Sequence, residues 1–390
     1  MALGPVATAV AATHGVQAAG ALAFIAVPTL APAIARDIGV DPVHVGTYVS
    51  LMWGAAVWSS AMTGRLIARF GAFGVSRLTA AVCGLGALVA TLGDVWALVV
   101  AAIMIGLGCG PETPASSAIL ARIVPPARQP FLLSLKQTGV QAGAVLAGLI
   151  LPALEAAYGW RLALGAVVAI NIGVALSLRP LDRLLDGPAS DGATGGGLRE
   201  GLRFVFANRP ILVLSIATFF FSTLQICMNG YLVTFGVVDL GYDLAKAGLL
   251  LAAAQAGGFV GRPLWGYVAG RYIAARVLIG AVGIGMASAG MAIGVFGGVL
   301  SFASVAAIAF VFGLTTAGWN GVYIAEIARL APPGRIGQVS GAAFTFGFTG
   351  LVVGPLAYGA IAAQASYGAG YVALAVVCVG AGALLLARRA

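Results

Sequence analysis

The chain has 390 residues and a net charge of +9, yet only 8% of its residues are charged and 61% are hydrophobic, with a mean hydropathy of +1.02. Soluble globular chains carry about 25% charged residues, so water is excluded as the main solvent of this one. The positive excess does not mark a nucleic-acid binder, because its distribution along the chain has another cause.

Apolar runs near the roughly 20 residues that cross a bilayer recur from end to end. Twelve spans are predicted, near 7–35, 45–66, 75–93, 96–120, 130–154 and 160–178, then 210–235, 245–268, 275–296, 300–325, 336–362 and 369–387. Helices are expected, because a helix satisfies its own backbone hydrogen bonds in lipid. The 57 glycines fit closely packed membrane helices. No basic region precedes the first run, so it reads as a span rather than a cleaved signal. Span 1 carries His14, and the loop after span 2 reads "GRLIARFGAFGVSR". Span 4 carries Glu112 in "GCGPETPASS", and span 5 carries Lys136 and Gln137 in "FLLSLKQTGVQAG". Residues 179–209 are polar and divide the chain into a bundle at 1–178, a linker, and a bundle at 210–390. The Gly-rich part of the linker reads as flexible, and its "LREGLRFVFANR" as an amphipathic helix at the membrane surface. Span 7 places Gln225 and Asn229 on one face. Span 8 holds Arg262 in "GRPLWGYVAGR", and span 10 holds Trp319, Asn320 and Tyr323, with Glu326 at its end beside loop arginines. Cys83, Cys109, Cys227 and Cys378 sit in apolar runs without metal-ligand spacing and read as reduced packing residues. No metal or cofactor is expected.

Charge orients the spans. With both termini, the linker and the loops after spans 2, 4, 8 and 10 on one side, that side holds sixteen arginines. The other side holds Arg36, Arg161 and Lys246. The basic side is cytoplasmic by the positive-inside rule, which also accounts for the net charge. Lys136 and Arg262 belong to neither side.

The halves repeat. "ARIVPPAR" at 121–128 recurs as "ARLAPPGR" at 328–335, an offset of 207, and Gly106-Leu107 recurs at the same offset as Gly313-Leu314. Two similar six-span bundles can rock about a midplane site, which is alternating access. With six plus six spans, a polar centre and cytoplasmic termini, the chain resembles the major facilitator superfamily over its whole length. The loop after span 2 is similar to that family's "G-x-L-a-D-R-x-G-x-x-x-x-R" signature: Gly64, Leu66, Arg69, Gly71 and Arg77 match, while Ala68 stands at the acidic position. In the second copy Gly266, Arg271 and Arg276 match, and Gly270 replaces the acid. The resemblance implies gating roles for Gly64, Arg69, Gly71, Arg77, Gly266 and Arg271, without the lock that the acid supplies in the family.

Ionisable residues inside a bilayer are costly and are functional candidates by default. Lys136 lies eight residues past Arg128, about 12 Å along a helix. Glu112 and Arg262 are comparably deep, ten residues before Arg122 and nine before Arg271. "GRPLWGYVAGR" resembles the eighth helix of monocarboxylate transporters and nitrate porters, where the arginine binds the substrate anion; that role falls on Arg262. Span 2 lacks the nitrate porters' second arginine, and span 1 lacks the monocarboxylate transporters' lysine. "LKQTGVQAG" resembles the fifth helix of sugar facilitators, which places Gln137 and Lys136 on the cavity, with a lysine that favours an anion over a neutral sugar. Glu112, desolvated on a cavity-lining helix, is suited to load a proton, although Ala102 fills the position of the superfamily's proton-associated arginine. The plain alternatives are a structural Glu112–Lys136 bridge, an Arg262 that bonds carbonyls near the mouth, and a packing rather than proton-carrying His14.

These features predict an all-α, twelve-helix secondary transporter of the bacterial inner membrane, monomeric, without nucleic-acid partners. Its substrate is expected to be a small organic anion held by Arg262 and Lys136, with Gln137, Gln225, Asn229, Trp319, Asn320 and Tyr323 around it. Glu112 and His14 are the proton-coupling candidates. The rival is a proton-driven efflux antiporter for drugs or neutral solutes, against which span 5 reads "GVQAGAVLAGLILP" rather than "G-P-x-x-G-G". An enzyme would need a nucleophile–base pair or a metal cluster at depth, and the only histidines are His14 and His44.

Overall fold

The computed structural model describes residues 4–125, 128–179, 198–332 and 335–387. The Gly-rich part of the expected linker, residues 180–197, lies outside them, as do 126–127 and 333–334 of the repeated loop. The described residues contain helices and no strand. In the first half they are α1 (Pro5–Ile38), α2 (Val45–Ala61), α3 (Thr63–Phe70), α4 (Ala72–Ala90), α5 (Val95–Cys109), α6 (Glu112–Ile123), α7 (Gln129–Tyr158) and α8 (Trp160–Ser177). In the second they are α9 (Leu198–Ala207), α10 (Arg209–Val238), α11 (Leu244–Arg271), α12 (Ala275–Phe296), α13 (Phe302–Leu330), α14 (Ile336–Gln364) and α15 (Tyr367–Leu386). Eleven stretches are long and apolar enough to cross a membrane. The twelfth expected span is α2, 17 residues long, which turns at Met62 into α3.

Span 4 departs from the single helix expected. It is two rods, α5 and α6, with Gly110 and Pro111 between them. Proline has no N–H to donate and its ring collides with the preceding turn, so the ladder stops and restarts. Glu112 thereby becomes the first residue of α6, at the helix end that favours negative charge.

By packing, the chain divides into Met1–Gly192 with Tyr242–Ala252, and Ala193–Gly241 with Ala253–Ala390. In the first unit α1 packs on α7 and α8, α4 on α5 and α8, and α2 on α5. In the second, α10 packs on α14 and α15, and α12 on α13 and α15. Glycine sets these contacts. A Cβ on Gly143 of α7 would lie 2.0 Å from the Ala18 carbonyl of α1, and one on Gly106 of α5 would lie 2.1 Å from the Met52 carbonyl of α2. A Cβ on the residues 207 positions on, Gly350 and Gly313, would likewise collide with the Phe219 and Ala254 carbonyls. The sequence repeat is therefore also a packing repeat, with backbone pressed on backbone where a side chain would not fit.

Candidate functional site

Lys136 is 1% exposed, so it does not snorkel to the surface. Its ammonium has three donors, and α6 supplies three acceptors: Ser116 Oγ at 2.8 Å, Ser117 Oγ at 3.1 Å and the Thr113 carbonyl at 3.3 Å. The helical repeat makes this possible, because residues 113, 116 and 117 share one face of α6. The carboxylate of Glu112 is not among these acceptors. It is buried, with Ser76, Lys136 and Ser116 as the groups acting on it. Neither carboxylate oxygen reaches hydrogen-bond geometry with a partner among the described residues. Ser116 is shared: its hydroxyl donates to the Glu112 carbonyl (2.7 Å) while accepting from Lys136. Lys136 and Glu112 thus lie on adjoining helices with the Ser116 hydroxyl shared between their neighbourhoods, and no direct hydrogen bond joins them.

His14 Nδ1 donates to the Leu135 carbonyl at 3.3 Å, one residue before Lys136, and so ties α1 to α7. Gln17, one turn along α1, donates to Thr113 Oγ1 at 3.3 Å. Sequence reading passed over Gln17, Ser76, Thr113, Ser116 and Ser117. The signal for three of them was present in "PETPASS", whose hydroxyls are spaced three and four apart. Gln137 lies 100° around α7 from Lys136. It shares a face with Gln141, and the Oε1 of each is buried without a partner among the described residues.

In the second unit, Gln225 accepts from Asn320 Nδ2 at 3.4 Å, and Asn229 accepts from Gln255 Nε2 at 2.7 Å. Gln255, on α11, was another residue the sequence did not single out. Trp319 and Tyr323 do not join these pairs. They are 1% and 0% exposed and pack edge-on against Phe221 of α10 and Phe344 of α14. Trp319 Nε1 and Tyr323 Oη are buried without hydrogen-bond partners among the described residues. Arg262 is half-buried, and its Nε likewise has no partner among them. One turn on, Trp265 Nε1 donates to the Leu314 carbonyl at 2.8 Å and its ring lies against Gly318, locking α11 to α13. Glu326 forms a two-point ion pair with Arg329 at 2.7 and 2.8 Å.

The loop residues sit as follows. Gly71 has φ +73°, a conformation suited to glycine, and joins α3 to α4. Arg69 lies over the Phe70 ring and Arg271 over Tyr267 and Tyr272. Gly64 and Gly266 have open space where a Cβ would stand. Arg77 is in the first turns of α4.

The model of the Major Facilitator Superfamily matches residues 15–355. A hexuronate transporter of Bacillus subtilis (strain 168) is 22% identical over 190 residues, which is 47% of this chain and 45% of that one. The match thus spans about half the length of that relative. A bacterial homologue of the human lysosomal transporter Spinster, solved inward-facing and occupied, superposes with a TM-score of 0.75 at 16% identity, covering 99% of this chain and 97% of that one. A POT family transporter in complex with a thioalcohol-conjugated peptide gives 0.74 at 13%, with coverage of 97% and 95%. At these identities the structural likeness is one of fold.

Proposed function

Because the chain belongs to the major facilitator superfamily of membrane transporters, we propose that it carries a small organic anion, a carboxylate, by alternating access coupled to protons. Its place is the bacterial inner membrane, with both termini in the cytoplasm, as the arginine-rich loops argue. The observation that supports the substrate class is two membrane-depth cations, one in each unit, neither of which forms an ion pair among the described residues. Lys136 is held by two hydroxyls and a carbonyl rather than by a carboxylate. Arg262 keeps a buried Nε without a partner among the described residues. Guanidinium offers a planar fork matched to a carboxylate, and ammonium a point charge. The hexuronate transporter among the relatives is consistent with an anionic cargo.

Proton coupling falls to Glu112. It is a buried carboxyl group at membrane depth, with Ser76, Ser116 and Lys136 as the groups acting on it. His14 spends one ring nitrogen on a backbone carbonyl, which fits a tether better than a carrier.

The test is uptake into proteoliposomes of labelled carboxylates, a hexuronate among them, with and without an imposed pH gradient. Wild-type protein is expected to accumulate at least one carboxylate and to respond to the gradient, and Arg262→Ala and Lys136→Ala to lose uptake. Wild-type rates in both variants would remove the anion site. Since a buried lysine also serves the fold, thermal stabilisation of wild-type protein by the carboxylate, but not by its neutral amide, gives a second reading.

A further inference from the structure

The short helix α9 carries a feature that transport does not use. Leu198, Leu202 and Phe206 recur every four residues and form one stripe. Leu198 is 56% exposed, and Phe206 is 62% exposed although one side of its ring meets Phe346 of α14 at 5.9 Å between centroids, so most of this stripe stays outside. The inward stripe is Gly201 and Val205, both buried, with α9 packed on α14. A Cβ on Gly201 would lie 2.8 Å from the Gln338 carbonyl. The rotation of α9 is fixed from its other side: Glu200 accepts from Arg335 at 2.6 Å and from Gln338 at 3.2 Å, while the Arg335 guanidinium lies over Phe204. The apolar stripe therefore cannot turn under. Arg199 and Arg203, four apart and exposed, run along its edge. Asn208 alone separates α9 from α10, which it caps through Ile211 N, and α10 opens with the exposed Arg209. Since α10 is a membrane span, α9 lies where that span meets water.

We propose that α9 is a docking surface for the anionic phospholipids of the adjoining leaflet. Leu198, Leu202 and Phe206 enter the acyl boundary, and Arg199 and Arg203 hold headgroup phosphates. An apolar stripe edged by arginines matches this partner in charge and in depth. The carboxylate of α9 is already committed to Arg335, so it does not repel the phosphates.

Short-chain phosphatidylglycerol is titrated into the detergent-solubilised protein, with phosphatidylcholine of equal chain length and inorganic phosphate as parallel arms, and the rise in melting temperature is followed. Wild-type protein is expected to respond to phosphatidylglycerol at lower concentration than to phosphatidylcholine. The half-effect concentration should rise about fivefold for each arginine replaced in Arg199→Gln and Arg203→Gln. The lysine versions, R199K and R203K, should keep the response, and F206S should weaken the response to both lipids. An unchanged phosphatidylglycerol response in the doubly glutamine-substituted protein overturns the proposal. So does an equal response to the two lipids, or the same stabilisation by inorganic phosphate alone.

Discussion

The two units share a scaffold and differ in where they bury charge. Gly106 and Gly313, and likewise Gly143 and Gly350, are separated by 207 residues and press on a neighbouring carbonyl in the same manner. At that offset the counterpart of Glu112 is Trp319, and the counterpart of Lys136 is Ala343. The loop after span 2 repeats at an offset of 202, from Gly64 to Gly266, which makes Ser60 the counterpart of Arg262. Each deep charge thus corresponds in sequence to an uncharged residue in the other copy. Span 4 is broken at Gly110-Pro111, whereas its twin α13 runs unbroken through Ala317-Gly318. Backbone contacts tolerate little change and were kept in both copies. Charges at depth need a purpose, and each copy holds its own.

The contrast can be broken first at the glycines. Gly143→Ala and Gly350→Ala should each cost about 3 kcal/mol, or prevent a monodisperse protein, because the added methyl meets a carbonyl rather than a movable side chain. Gly54→Ala and Gly165→Ala, with nothing within 4 Å, should leave the melting temperature near that of the wild type. If the tight and the open sites behaved alike, the packing repeat would carry no energy. Next, Lys136→Met should keep the fold, since Ser116 and Ser117 already donate to carbonyls of their own helix. Uptake should nevertheless fall at least about thirtyfold; retained uptake would make Lys136 a packing residue only.

Glu112→Gln should flatten the pH dependence of uptake while sparing solute exchange at equal pH, because the amide cannot release a proton. A pH profile that matched the wild type would move proton coupling elsewhere. The smallest effect is expected at the Asp37–Arg161 pair, 2.9 Å apart with both side chains substantially exposed. Asp37→Asn should change stability by about 0.5 kcal/mol, measured as a small shift in melting temperature.

The spans and the repeat were legible because they depend on hydropathy and spacing, which a chain displays without neighbours. Pro111 was visible too, but the apolar run continues beyond it to residue 120, so span 4 read as one helix. The partners of Lys136 were not legible. Which face of α6 turns toward α7 is decided by packing, and a buried lysine gives no sign of whether it meets a carboxylate or two serines. The surroundings of Trp319 and Tyr323 were not legible either: the rings of Phe221 and Phe344 that pack edge-on against them come from other helices. Gln255 is a single polar residue in an apolar run, and only the position of Asn229 gives it a partner.

The joint at Gly110-Pro111 separates two attachments. Above it, α5 is fastened to α2 through Gly106, and Gly110 at the joint lies against Ala56. Below it, α6 is fastened to α7 through the Lys136 ammonium. A rod that carried both attachments would transmit any shift of the lysine along its whole length. Divided as it is, the span keeps its two attachments on separate rods: the backbone seam with α2 belongs to α5, and the hold on the lysine belongs to the 12 residues of α6.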